Sequence, residues 1–302
     1  MSQHSTLVTR RGSVEAPDAP RWRAWLESYK TPRSIAYHGF MICAAFVWFL
    51  PILWMISMSL TPNDILQESS RQLFHSQLTL SNLLGVFATG DLARWFLNSF
   101  IVTSITTVLT VIFCAMAGYA FARIRFPGSR ILYVAVLAGL MVPKEAMFIP
   151  LYLMFSGVQQ QNTYEALILP RLAAPLGVFI MTQFFSKIPP ELEEAARVDG
   201  AGRWRVFYSI MLPLARPAMA SLAIFTFVLT WNDYLWPLVI STRTEWFTVT
   251  TGLASLQSNF DATTNLGDLM ARGLVGSLPL LAIFLIFQRQ LIRGITLGSG
   301  EK

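Results

Sequence analysis

The stretch Glu194–Gly200 reads EAARVDG, and Ile210–Pro213 a few residues later reads IMLP. Both segments lie between long apolar runs, although the first carries charges of both signs. Pro189 and Pro190 precede it, which is typical of a first helical turn, because no backbone donor is missed there. Three glutamates then fall near the helix N-terminus, where the helix dipole favours negative charge. This pattern predicts a short, charged helix.

Two glycines predict where this helix ends. Gly200 and Gly202 interrupt it, because glycine readily leaves helical geometry. Apolar and aromatic residues then recur at i, i+3, i+4 and i+7, which predicts a second short helix; they are Trp204, Phe207, Tyr208 and Met211. Residues 189–213, called the elbow below, are therefore predicted to form two helices at a membrane surface, with a small-residue face open to a partner.

The composition indicates an integral membrane protein. Of the 302 residues, 54% are hydrophobic and only 13% are charged, whereas soluble domains have about a quarter of their residues charged. Several apolar runs reach the roughly 20 residues that cross a bilayer as a helix. The net charge of +6 does not indicate nucleic-acid binding, because the basic residues flank apolar runs and form no single patch.

Other classes of chemistry have no support in the sequence. Cys43 and Cys114 lie separately in apolar runs, which argues against a disulfide framework, and the three histidines are scattered. No paired-carboxylate or His/Cys constellation indicates a membrane enzyme. No phosphate-binding Gly-rich loop occurs either. We therefore expect no catalytic residue, metal or cofactor in this chain. If ATP and Mg drive the process in which the chain takes part, a separate subunit is expected to bind them.

The apolar runs predict an all-α membrane domain with six spans, at about 38–60, 95–122, 131–154, 165–186, 214–240 and 270–288. Pro143 and Pro150 are expected to break the third span. The membrane domain is expected over 38–295, between a basic extension at 1–37, with a possible interfacial helix near Trp22–Tyr29, and a flexible tail at 296–302.

The basic residues predict the orientation. Sixteen of the 23 lysines and arginines lie in the N-terminal extension, after the second span, around the elbow and in the C-terminal tail. Only Arg71, Arg94 and Arg243 lie in the loops on the other side. Because cytoplasmic loops are enriched in basic residues, both termini and the elbow are expected on the cytoplasmic side of a bacterial or archaeal inner membrane.

The elbow resembles the EAA loop of ABC importer permeases. The spacing Glu-Ala-Ala, three residues, Gly, nine residues, Ile-x-Leu-Pro is complete at Glu194, Ala195, Ala196, Gly200, Ile210, Leu212 and Pro213. The resemblance implies that these residues, together with Asp199, dock into a groove on a cytoplasmic ATPase subunit. It also implies that the elbow passes the motion of the ATPase to the membrane helices.

Flanking segments resemble the carbohydrate branch of this family, represented by the maltose permeases; they include Tyr119–Arg123, Trp231–Pro237 and Arg293–Gly298. The resemblance covers about residue 38 to the end of the chain. It implies import of a sugar or polyol by alternating access, with a second similar permease chain, two ATPase copies and an extracytoplasmic binding protein as partners. The alternative is the same class of transporter with an anionic cargo, such as glycerol 3-phosphate or an acidic oligosaccharide.

Asp233 is a candidate for the substrate path, because an ionisable group inside a membrane helix is costly. At about 1.5 Å per residue from Pro213, it is expected in the outer third of the membrane. Its neighbours add hydrogen-bonding groups and rings that would stack on a sugar; they are Trp231, Asn232, Tyr234 and Trp236. The alternative is an aromatic belt at the outer interface, with an acid that extends towards water.

Arg171 is the second candidate, about seven residues into the fourth span. An arginine there is expected to face protein or water, and not lipid. It either contacts an acidic cargo or forms a salt bridge, with Glu145 or Glu165 as the expected partner. The C-terminal tail is a third candidate, because in the maltose-type relative this tail reaches between the ATPase subunits; the alternative is a disordered end without a role.

Overall fold

The computed structural model describes residues 32–69, 77–88, 91–258 and 266–298, and all regular elements within these ranges are helices. The expected interfacial helix near Trp22–Tyr29 lies outside them. The chain divides into two compact units, Met1–Trp54 and Met55–Lys302. The first helix, α1 (Pro32–Ser59), supplies the described part of the first unit. Most of its described apolar side chains are exposed, as contact with lipid requires.

The second unit is built on a long helix. Short helices α2 (Asn63–Ser69) and α3 (Ser81–Ala88) lead into α4, which runs from Asp91 to Arg123. The helix begins four residues before the predicted span, 95–122, and ends one residue after it. Helix α4 packs most extensively against α8 (Pro175–Lys187) and α12 (Arg216–Trp231).

Small residues bring α4 and α8 into close contact. A Cβ atom added at Gly118 of α4 would lie 2.6 Å from Cβ of Met181 and 2.9 Å from the backbone of α8. One turn earlier, the Sγ atom of Cys114 fills the space beside Gly177. The two parallel helices therefore meet backbone to backbone, and the contact leaves no room for an added side chain.

We expect the Gly118→Ala substitution to lower the free energy of unfolding by about 1–3 kcal/mol, because the new methyl group meets main chain and not a movable side-chain end. Thermal unfolding in detergent measures the change. Gly157→Ala is the matched control, since a Cβ there meets nothing within 4 Å. Equal unfolding temperatures for the two variants would contradict the close contact.

Three further segments are bent helix pairs. Ser129–Met141 and Lys144–Gly157 meet at 94°, and Tyr164–Arg171 and Pro175–Lys187 meet at 47°. Arg203–Leu214 and Arg216–Trp231 meet at 73°. The first pair contains α5 (Ser129–Ala138) and α6 (Phe148–Gly157), and the second begins with α7 (Tyr164–Ile168). Together with α1, α4 and the last helix, these pairs give three to six candidate spans in the described ranges.

The breaks agree only partly with the sequence. Pro143 lies at the first break, as expected, whereas Pro150 lies in the first turn of α6. The fifth expected span, 214–240, is interrupted at 232–234, between α12 and α13 (Leu235–Ile240), although no proline stands at the break. Helix α14 (Val249–Ser258) follows, and α15 (Leu266–Gly298) ends the described chain.

Candidate functional site

The elbow consists of helix α9 (Glu191–Val198), a glycine turn and a second helical segment. Gly200 has φ +78°, a left-handed conformation that favours glycine and ends the helix. Helix α10 (Arg203–Val206) then passes into a π-turn at Phe207–Met211 and into α11 (Leu212–Leu214). A π-turn inside a helix is uncommon, and such turns occur frequently at functional sites.

The elbow has one open face and one buried face. Glu194, Ala195, Asp199 and Gly200 are exposed. Large apolar side chains lie among them on the surface; they are Leu192, Val198, Trp204 and Tyr208, with Val198 88% exposed. Exposed apolar side chains that are grouped on a surface are typical of protein or membrane interaction sites.

The buried face of the elbow belongs to the core of the membrane unit. Ala196, Val206, Phe207 and Met211 are buried in one cluster with residues of α4 and α8. Three expected coupling residues, Ile210, Leu212 and Pro213, are half-buried, and the first two pack against this cluster. The elbow is therefore packed against the membrane helices along its inner side.

A buried carboxylate links the elbow to α4. Oε1 of Glu193 accepts hydrogen bonds from the hydroxyl of Tyr119, at 3.0 Å, and from Nη2 of Arg197, at 2.7 Å. Glu193 is only 6% exposed, whereas the neighbouring Glu194 is open to solvent. The sequence places Glu193 only near the positive end of the helix dipole, because the burial of one of three nearby acids gives no periodic signal.

Arg123, the last residue of α4, contacts the end of α8. Its Nε donates to the carbonyl oxygen of Phe185 at 3.1 Å, and its Nη2 donates to the same oxygen and to that of Ile188. A cation at a helix C-terminus satisfies carbonyl groups that lack a helical partner and opposes the negative end of the dipole. The C-terminal end of α4 thus holds the segment that enters the elbow.

A second polar site joins two helix breaks inside the apolar part of the chain. Two nitrogens of the Arg171 guanidinium, Nε and Nη2, donate to Oδ2 of Asp233, and the distance from Nε is 3.1 Å. The third nitrogen, Nη1, donates to the carbonyl oxygen of Leu167 at 2.6 Å. The side chains are 12% and 24% exposed. The partner expected from the sequence was Glu145 or Glu165; the structure brings the two candidate residues together instead.

The neighbours of Asp233 have different positions. Trp231 is 2% exposed, donates to the carbonyl oxygen of Gly276, and stacks on Phe227, so its ring has no open face for a sugar. Trp236 is also buried and donates to the carbonyl oxygen of Ala166. Asn232 and Tyr234 are exposed beside the ion pair and keep polar groups available.

The start of α4 holds the loop before α14. Nδ2 of Asn98 donates to the carbonyl oxygens of Glu245, at 2.9 Å, and Phe247, at 3.0 Å, while its Oδ1 accepts from the hydroxyl of Tyr164. Ser99 accepts from the backbone N–H of Val249.

Within the described residues, no three His, Cys, Asp or Glu side chains lie close enough to hold a metal ion. The candidate site therefore combines an exposed surface on the elbow, a buried link from the elbow to the long helix α4, and an ion pair between two helix breaks.

Comparison with known proteins identifies the class. The family described as binding-protein-dependent transport system inner membrane component matches residues 111–296, which is more than half of the chain. The chain belongs to this family and is an integral membrane permease subunit.

Individual relatives cover nearly the whole chain. The arabinooligosaccharides transport system permease of Halalkalibacterium halodurans is 37% identical over 258 residues, which are 84% of this chain and 92% of the relative. The trehalose transport system permease of Mycobacterium tuberculosis is 34% identical over 252 residues, 83% and 91% of the two chains. A chain of a bacterial ABC transporter that imports the acidic polysaccharide alginate has the same fold, with TM-score 0.73, 20% identity, and 90% and 98% coverage.

Proposed function

We propose that this chain is one membrane subunit of an ATP-driven importer that moves a sugar, from a monosaccharide or polyol to an oligosaccharide, across the cell membrane. The observation that carries the proposal is the identity of 37% and 34% to permeases of arabinooligosaccharides and trehalose, over more than four fifths of both chains. The open face of the elbow supports it, because an importer of this class needs a surface on which an ATPase acts.

The partners follow from the family and the elbow. A second, homologous permease chain completes the path, and two ATPase copies bind below, one on each elbow. The ATPase subunits bind ATP and Mg and carry out hydrolysis. An extracytoplasmic binding protein delivers the sugar, in agreement with the description of the family. The exposed apolar side chains of the spans contact lipid and the second permease.

The topology that suits this function has six spans, with each bent pair crossing once. Both termini and the elbow then lie in the cytoplasm, as the distribution of basic residues predicts. Closure of the ATPase dimer on ATP moves the two elbows together and opens the path outwards, and release after hydrolysis reverses the movement. This is alternating access, without a covalent change in the sugar.

The charge of Arg171 supports a neutral cargo. An anionic cargo such as glycerol 3-phosphate or an acidic oligosaccharide would need an uncompensated cation on its path, and Arg171 is compensated by Asp233. Asn232, Asp233 and Tyr234, which lie at the break between α12 and α13, remain candidates for the substrate path. Arg171 is the partner that fixes the carboxylate of Asp233.

An uptake assay tests the function. We expect cells that carry the complete system to accumulate labelled arabinotriose or trehalose, and deletion of this chain to reduce that uptake to the background level. Glycerol 3-phosphate and an alginate trisaccharide are the anionic arms of the assay. If only an anionic compound is taken up in a chain-dependent way, that compound replaces the neutral sugar in the proposal. If none of the four compounds is taken up with ATP, the proposal is contradicted.

A further inference from the structure

The position of the elbow depends on its contacts with the membrane helices. Helix α9 has only eight residues, and isolated helices of this length are not stable in water. Its outward face is exposed, so its position depends on contacts along the inner side. Two residues of α9 are buried there, Ala196 and Glu193, and only Glu193 makes directional contacts.

Tyr119 of α4 is placed at the meeting point of three segments. Its ring centroid lies 5.8 Å from that of Phe185 in α8 and 5.0 Å from that of Phe207 in the elbow. Its hydroxyl donates to Glu193 of α9. A displacement of α9, of α8 or of the π-turn therefore acts on the same side chain of α4.

The Glu193 carboxylate is an expensive group to bury, because a charge removed from water needs partners. One of its two partners, Arg197, belongs to the same helix and is 52% exposed in its side chain. The other, Tyr119, is 5% exposed and belongs to α4. Movement of α9 away from α4 would leave the carboxylate with its half-exposed partner alone, so the two helices are held together.

The prolines at the start of the elbow leave a carbonyl oxygen of α8 without its helical donor, and Arg123 supplies donors instead. In a continuing helix, the carbonyl oxygen of Phe185 would accept from the N–H of residue 189, and proline has none. The N–H of Ile188 reaches that oxygen at 3.3 Å, and the guanidinium of Arg123 adds two donors from outside α8. The end of α8 is thereby attached to the end of α4.

We propose that Tyr119, Arg123 and Glu193 form a joint that makes the elbow, the end of α8 and the end of α4 move as one piece. The inference rests on the proposed function, because it concerns the transfer of the ATPase movement to the membrane helices. The three side chains are positioning residues. They touch neither sugar nor nucleotide, and they act by fixing where the elbow stands relative to α4.

The experiment uses the complete complex, purified through a tag on this chain and reconstituted in liposomes with its binding protein. Arabinotriose and trehalose are offered together, and sugar uptake is measured in parallel with hydrolysis of Mg-ATP. The variants are Tyr119→Phe, which keeps the ring and removes the hydroxyl, and Arg123→Lys, which keeps the charge and removes the fork of donors. Tyr133→Phe is the matched control, because the hydroxyl of Tyr133 has no hydrogen-bond partner among the described residues.

We expect both joint variants to retain the ATPase subunits and to hydrolyse ATP, while the sugar imported per ATP falls about tenfold, the effect of losing one hydrogen bond to a charged group. The control should keep the wild-type ratio. A purely structural role would reduce uptake and hydrolysis together, in proportion to the amount of complex, and would leave the ratio unchanged.

Three results would overturn the proposal: an unchanged ratio in both variants, an equal fall in Tyr133→Phe, or loss of the ATPase subunits from both variants, which would assign the joint to docking. Failure of the proposed function gives a different result. In that case the wild-type complex itself contains no ATPase or imports no sugar.

Discussion

Replacement of Asp233 by asparagine is expected to lower the free energy of unfolding by about 3 kcal/mol, because removal of one partner leaves a largely buried arginine without its counter-charge. Arg171 is 12% exposed in its side chain and its second contact is a neutral carbonyl group. Thermal unfolding of the purified chain measures the loss. Glu245→Gln is the control: its partner Arg243 lies 3.7 Å away and both side chains are exposed, so a change near zero is expected.

The double variant Arg171→Gln/Asp233→Asn decides whether the loss comes from the unpaired charge. It removes both charges, and we expect it to recover much of the stability that the single variant loses. Additive losses in the double variant would contradict a coupled pair. Uptake of arabinotriose or trehalose by the stable double variant then tests the path itself, because unaltered uptake and affinity would remove Asp233 from it.

Replacement of Glu194 by lysine is expected to reduce recovery of the ATPase subunit with this chain at least tenfold. The side chain is exposed on the open face of α9, where a reversed charge opposes the partner that fits the native acid. The fold should remain, since a lysine in the first turns of a helix costs only about 0.3–1 kcal/mol through the dipole. Quantitative co-purification from membranes measures the effect.

Glu145→Lys provides the matched control for this charge reversal. Glu145 is exposed in the 3₁₀ helix Lys144–Met147, and the proposed topology places it away from the cytoplasm. It should recover as much ATPase as the unaltered chain. Full recovery with Glu194→Lys, or equal loss in both variants, would show that the open face of the elbow is not the docking surface.

Local signals in the sequence predict the helices around the elbow well. The start of α9 follows from Pro189 and Pro190, and its end follows from Gly200, which readily adopts a positive φ. These effects extend over only a few residues, so composition and spacing are sufficient to predict the helix. The apolar runs likewise predict α1 and α4, because the length of a span follows from the thickness of the bilayer.

Contacts between distant residues account for what the sequence did not predict. Arg171 and Asp233 are 62 positions apart, and Tyr119 and Glu193 are 74 positions apart. No spacing rule connects such pairs, and the partners expected for Arg171, Glu145 and Glu165, both lie nearer to it in the chain. The break at 232–234 was missed for a related reason. It contains neither proline nor glycine, and the contacts of Asp233, including its carbonyl oxygen with Thr250, lie elsewhere in the fold.

Helix α4 is one uninterrupted element of 33 residues, about 50 Å long. Near its start, Asn98 forms hydrogen bonds with the loop before α14, here called the outer loop, and near its end, Tyr119 forms a hydrogen bond with the elbow. Within the proposed topology, the same rigid body thus meets both aqueous compartments. Thermodynamic reciprocity then applies. If occupancy of the outer loop by a partner alters the affinity for nucleotide inside, nucleotide must alter the affinity for that partner by the same factor.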